Sequence, residues 1–245
     1  MVTLGIDLAA EPKSTAGCTI EWSENRAHVR WVSTGLSDED ILQRASGARI
    51  VGIDAPFGWP TYFVEAITAH HAGKPWPLDE WNIINRRKLR LRATDERVYK
   101  ATNITPLSVS CDALAIPATR CALLLDRLGV QDRSGDGRVQ EVYPAAALHA
   151  WGLRCRGYKG RENGAVLAAL FATLSERAPW LTIAPEHARK CATSDHIFDA
   201  LIASLVARAA ALRLTLSPTA DELPAARIEG WIALPLAESL SALTA

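Results

Sequence analysis

An excess of charge of either sign is missing from this chain, which sets 27 lysines and arginines against 27 aspartates and glutamates. Without surplus base there is no global attraction to nucleic acid or to an anionic membrane, so any polyanion must be met by a local patch. Paired cysteine spacing is missing as well. The five cysteines, at 18, 111, 121, 155 and 191, are odd in number and scattered, with no C-x-x-C. This excludes a disulfide framework or a cysteine zinc site and fits the reduced thiols of a cytoplasm. The start, MVTLGIDLAAEPKS, has no basic segment leading into a long apolar one, so no signal peptide is expected. The longest apolar stretch, 200–212, is broken by Ser204 and Arg208 and is too short to span a bilayer. H-E-x-x-H, G-x-x-x-x-G-K-[ST] and G-x-G-x-x-G are all lacking, and no serine–histidine–acid constellation stands out.

What is present is a hydrophobic share of 49% over 245 residues, the profile of one elaborated, well-packed domain. Residues 2–8, 15–22 and 27–34 read as three strands in meander order, with a four-residue link suggesting a hairpin between the last two. Ser37 followed by Asp38, Glu39 and Asp40 starts a helix running to about 45. A fourth strand over 49–55 stops at Pro56, and a fifth over 138–143 stops at Pro144. Between them, 57–137 interrupts the pattern as an insertion on the core, with helices expected at 62–71 and 118–128. Helices are also expected at 163–177 and 193–212, and a short last strand at 227–234. The expectation is an α/β fold: a mixed five-stranded sheet of meander plus two parallel strands, flanked by helices. The order meander, helix, strand is how a ribonuclease H-like fold begins.

Asp7 and Asp54 each close an apolar strand, each with a glycine two positions earlier in Gly5-Ile6-Asp7 and Gly52-Ile53-Asp54. Alternation puts glycine and aspartate on one face, and a carboxylate beside bare backbone can hold a metal or a phosphate-bearing ligand closely. Asp195 and Asp199, at i and i+4, share a face of the apolar helix over 193–212. An unpaired carboxylate at Asp199, among Ile197, Phe198, Ala200 and Leu201, is costly to bury and calls for a cation, a metal or a hydrogen-bond cluster. Asp195 suits the first turn of the helix equally well. Glu141, inside an apolar strand, is either a salt bridge at the core's edge or a ligand, and Tyr143 and His196 read first as ordinary packing or surface residues. Arg92, Thr94 and Asp95 lie in the basic run over 86–100, which is either a solvated helix face or a phosphate-contacting patch for nucleic acid. Lys159, in a glycine-flanked loop, could neutralise phosphate. Converging carboxylates repel unless neutralised, and Mg²⁺ or Mn²⁺ with oxygen ligands does this while supporting phosphodiester hydrolysis.

Gly5-Ile6-Asp7, Gly52-Ile53-Asp54-Ala55-Pro56, Arg92-x-Thr94-Asp95, Glu141-Val142-Tyr143-Pro144, Tyr158-Lys159, Ser194-Asp195-His196-x-Phe198-Asp199-Ala200 and Glu229-Gly230-Trp231 together resemble the motif series of domain of unknown function 429. That family is described as predicted nucleases with a ribonuclease H fold. The resemblance implies a metal-dependent nuclease in which Asp7, with Asp199 or Asp195, ligates the metal, and Asp54 or Glu141 is the middle acid. Two other readings stand beside it. One is a small ATP phosphotransferase of the actin-like and sugar-kinase type, disfavoured by the short chain and by LAAEPKSTAG where a phosphate loop would be. The other is a non-catalytic binding module that kept the fold, with Arg92 to Asp95 and the 57–137 insertion as its docking surface.

Overall fold

The computed structural model describes residues 1–135 and 137–244. In chain order its elements are β1 (Val2–Asp7), β2 (Ala16–Ser23), β3 (Arg26–Thr34), α1 (Asp38–Ser46), β4 (Ile50–Asp54), α2 (Thr61–His71), α3 (Ile83–Arg90), α4 (Ala93–Thr102) and α5 (Ala115–Arg127). There follow β5 (Val139–Glu141), α6 (Pro144–Ala150), α7 (Gly164–Arg177), β6 (Leu181–Ile183), α8 (Pro185–Thr193), α9 (Asp195–Ala211) and α10 (Leu223–Glu229). Contacts divide the chain into two compact units. Unit 1 takes Met1–Ala55, Arg138–Ser217 and Ala233–Ala245, and unit 2 takes Pro56–Gly137 and Pro218–Ile232. Pro56–Gly137 lies between β4 and β5 in the chain, and Pro218–Ile232 returns to the same unit. The return segment Pro218–Ile232 has no signature that marks it as part of the same unit.

Unit 1 is built on a mixed sheet with strand order β5-β4-β1-β2-β3-β6. β1, β2 and β3 form the antiparallel meander, while β4 runs parallel to β1 and β5 parallel to β4. Six strands replace the expected five because β6 pairs in parallel with the outer edge of β3. It is only three residues long and half exposed, too brief for alternation to register. The strand expected over 227–234 is corrected too: α10 occupies Leu223–Glu229, and the segment after it enters isolated bridges only, Thr215 to Pro235 among them. The helix expected over 193–212 is α9, Asp195–Ala211, and Thr193 is the last residue of the separate α8. Ser194 is extended and caps α9 by accepting from the Ile197 amide, so α8 ends where α9 begins.

α9 lies across β1, β2 and β4, and α6 and α8 pack on it as well. Twelve of its seventeen residues are buried, as expected of a helix that is apolar all round. Its seat on the sheet is made by small residues. A Cβ on Gly5 would stand 2.0 Å from the Ala200 carbonyl oxygen, and one on Gly52 would stand 2.4 Å from that of Ala203. Next to Gly5, the Thr3 hydroxyl meets Ser204 Oγ at 2.8 Å and accepts the Trp22 indole N–H at 2.9 Å. The glycines of the two Gly-Ile-Asp segments therefore admit a helix backbone, and the expectation that they leave room for a ligand is corrected. With residues 200–204 over Gly5 and Thr3, the start of α9 falls at the C-terminal ends of β1 and β4. Both strands close there on aspartate.

Candidate metal centre

Gly5 pairs with Gly52 and Asp7 with Asp54 across the parallel β1–β4 ladder, so the two aspartates stand side by side on the face that α9 covers. Asp199, in the first turns of α9, closes the group. One carboxylate oxygen from each of Asp7, Asp54 and Asp199 lies within 4.8 Å of the others. Asp7 and Asp199 are buried and Asp54 is half-buried. Three such charges need compensation, and the chain supplies two bases. Lys159 Nζ lies 2.6 Å from Asp199 Oδ2, and His196 Nδ1 lies 2.6 Å from Asp7 Oδ2. Tyr158, wholly buried against Phe198, donates its hydroxyl to Asp199 Oδ1 at 2.7 Å.

Burial, followed by the repulsion of Asp7, raises the Asp199 carboxyl to about 6 even though Lys159 and Tyr158 favour its charged form. Burial also raises Asp54 well above the carboxylate range, Lys159 acting against the shift and Asp7 and Asp199 adding to it. Lys159 is subject to a burial penalty, but the charges of Asp199, Asp54 and Asp7 outweigh it and hold its pKa above the ordinary lysine value. The bond to Asp7 raises His196 in spite of partial burial. Tyr143 is raised by burial and then by the charge of Asp54, which keeps its hydroxyl protonated beside the site.

Lys159 reaches the group through a loop shaped by Gly157 and Gly160, both at positive φ, which a side chain would resist. Asp195 anchors that loop by accepting the Gly160 amide at 2.8 Å, and Asn163 donates to the Lys159 carbonyl oxygen at 2.6 Å. Asp195 thus stands outside the three-carboxylate group and supports the lysine that faces it. Glu141 pairs with Ile53 in the β4–β5 register, which turns it to the face opposite Asp54, where it is buried. Val142, next in sequence, is the residue that faces Gly52 and α9.

Arg92 and Asp95 belong to unit 2 and are 3% and 0% exposed. Their carboxylate–guanidinium pair closes at 2.9 Å, and Asp95 also accepts the Arg92 amide at 2.9 Å, capping α4. Arg92 donates to the Glu229 carbonyl oxygen, and the Glu229 carboxylate accepts the amides of Thr61 and Ala93, each at 2.8 Å. Thr94 Oγ1 accepts the Ile232 amide. The Arg92-x-Thr94-Asp95 and Glu229-Gly230-Trp231 motifs thus meet as the internal brace of unit 2. Asp95→Ala would remove the counter-charge of the buried guanidinium and is expected to lower unfolding stability by about 3–5 kcal/mol, read from denaturant midpoints at constant slope. A change under about 1 kcal/mol would mean that the brace carries little. The rest of the basic run is partly neutralised in place: Arg87 pairs with Glu96, and Arg97 lies 3.7 Å from Glu222.

His196 and Tyr158 were the contacts of this site that residue type alone did not single out. The available signal was spacing: His196 is three residues before Asp199, so both project from one side of α9. Among the described residues no helix is long and apolar enough to cross a membrane. The family model described as Protein of unknown function (DUF429) matches residues 5–222, and the chain belongs to that family. No curated protein and no solved structure matches it.

Proposed function

We propose that this member of the family is a metal-dependent nuclease, with Asp7, Asp54 and Asp199 holding Mg²⁺ or Mn²⁺ for hydrolysis of phosphodiester bonds. The observation that carries the reading is the mutual reach of three carboxylates, 4.8 Å at most. Oxygens bound to one hard cation at about 2.1–2.5 Å stand no more than about 4.2–5 Å apart. The donor set is all oxygen, as such a cation prefers, and two of its members have pKa values raised by burial and by mutual repulsion, which a bound cation would offset. The meander followed by parallel β4 and β5, with an acid delivered from a late helix, supports a ribonuclease H-like core to which β6 adds an edge.

When bound, such an ion supplies charge for a phosphoryl oxygen and makes water more acidic. The chain's own groups do the rest. Asp7 orients His196, whose ring is half exposed at the mouth of the group. Lys159, with a side chain 58% exposed, offers a cation to an incoming phosphate while its ammonium stays on Asp199. Asp195 keeps that lysine's loop in place, and Tyr143 presents a protonated hydroxyl. Glu141, turned to the other face, is not in the proposed ligand set.

The test is a calorimetric titration with Mn²⁺ and Mg²⁺, paired with incubation on single-stranded, duplex, branched and hybrid substrates. Asp54 and Asp199 must lose protons to bind, so affinity is expected to fall about tenfold or more between about pH 7.5 and 5.5. Asp7→Asn is expected to abolish both binding and cleavage. Binding that ignores pH and Asp7→Asn, or a protein that takes up neither ion, would end the proposal.

A further inference from the structure

Unit 2 contains eleven of the thirteen exposed large hydrophobic side chains among the described residues. Scattered apolar residues need no explanation, but a concentration on one unit marks a surface that something covers. Its densest part is α3 and the residues leading into it. Trp81, Ile83 and Ile84 are 72%, 72% and 63% exposed, and only Leu89 of α3 is buried. α2 packs beside α3 and buries only Ala66 of its own, leaving Tyr62, Val64 and Ile67 exposed.

Charge along this stretch is segregated. Asp79 and Glu80, both exposed, precede Trp81. Ile83 and Ile84 form the middle, and Arg86, Arg87, Lys88 and Arg90 form the end. Such an order, acid then apolar then base, is complementary to itself when reversed. Two copies of α3 laid antiparallel about a twofold axis between Ile83 and Ile84 would set apolar on apolar at the centre. Asp79 would then meet Lys88, and Glu80 would meet Arg86 and the Arg87–Glu96 pair, at both ends. An isologous contact requires this relation, in which a residue meets its counterpart's partner in both directions.

The ordering also discriminates between occupants. Nucleic acid would repel Asp79 and Glu80, and unit 2 as a whole carries as many acidic as basic side chains. From the segregated charge and the exposed apolar centre we infer that the α3 face of unit 2 binds a second copy of this chain, forming a symmetric dimer. The inference is independent of the chemistry assigned to the metal centre.

Sedimentation velocity on the full chain from about 1 to 100 μM is expected to show a monomer–dimer equilibrium. Ile83→Glu with Ile84→Glu should leave a monomer with an unchanged thermal midpoint, since both side chains are already exposed. A charge exchange guards against damage to the fold. Asp79→Lys with Glu80→Lys, and separately Arg86→Glu with Lys88→Glu, which leave the Arg87–Glu96 pair intact, should each weaken self-association at least tenfold. An equimolar mixture of the two should form a heterodimer. The inference is overturned if the wild-type chain stays monomeric throughout, if the Ile83/Ile84 variant still dimerises, or if the exchanged pair fails to associate. It is equally overturned if the face binds labelled oligonucleotide in competition with self-association, since its partner is then nucleic acid.

Discussion

Asp199→Asn is expected to reduce phosphodiester cleavage roughly 10³-fold or more while making the metal-free protein more stable at neutral pH. The two effects share one cause. Asp199 is 1% exposed, and its carboxyl is raised to about 6 in the folded chain, against about 3.9 for an unperturbed aspartate. A carboxyl raised by folding favours the folded state in its protonated form. That contribution is fully present below about pH 4 and is lost as pH rises through about 6. Above that range the wild-type chain therefore maintains a buried charge at a cost of about 3 kcal/mol, which asparagine removes. Asparagine can still accept the Tyr158 hydroxyl, and the side chain of Lys159 is exposed enough to return to water. Thermal midpoints of the two proteins without metal should converge below about pH 4 and separate by about pH 7.5, the variant melting higher. Added Mn²⁺ should then raise the wild-type midpoint and leave the variant where it is. Equal midpoints at every pH would show that Asp199 carries no such strain, and undiminished cleavage by the variant would remove it from the chemistry.

The strand-end aspartates were legible in the sequence because period-two alternation and a terminal carboxylate are local signals, and the echoed Gly-Ile-Asp put them in one frame. Their adjacency follows from a parallel pairing that places Asp7 opposite Asp54. The conflict between an apolar helix and a carboxylate was equally legible at Asp199. Glu141 shows where such reading ends. A single-residue offset in β5 decides which face a side chain takes, and a three-residue strand has too little pattern to reveal it. Arg92 and Asp95 were visible as charges, but their burial depends on Glu229, 137 residues away from Arg92 in sequence. His196 was discounted because a lone histidine beside an acid is ordinary, and only the seating of α9 brings it onto Asp7. In each case the missing information was a long-range contact.

The seating of α9 is itself open to test, and Gly5→Ala is expected to be the most damaging small substitution in unit 1. Its Cβ would fall 2.0 Å from the Ala200 carbonyl oxygen and 2.3 Å from the Ser204 nitrogen. Both are backbone atoms of a helix held from behind by α6 and α8, so no side-chain rotation relieves the clash. Overpacking of a core usually costs about 1–3 kcal/mol, and a clash with helix backbone belongs at or beyond the upper end, about 3 kcal/mol or more. Gly52→Ala should follow closely, its Cβ meeting the Ala203 carbonyl oxygen at 2.4 Å and Val142 at 3.0 Å. Gly47→Ala is the control: its φ is −87° and its nearest neighbour is 3.7 Å away, so its midpoint should barely move. Because α9 delivers Asp199 to strands that end on Asp7 and Asp54, lifting the helix must also part the carboxylates. Any folded Gly5→Ala protein should therefore bind Mn²⁺ at least tenfold more weakly, although no ligand has been altered. A Gly5→Ala chain that keeps both its stability and its metal affinity would show that the helix does not rest on bare backbone. The three aspartates would then owe their convergence to something other than the two glycines.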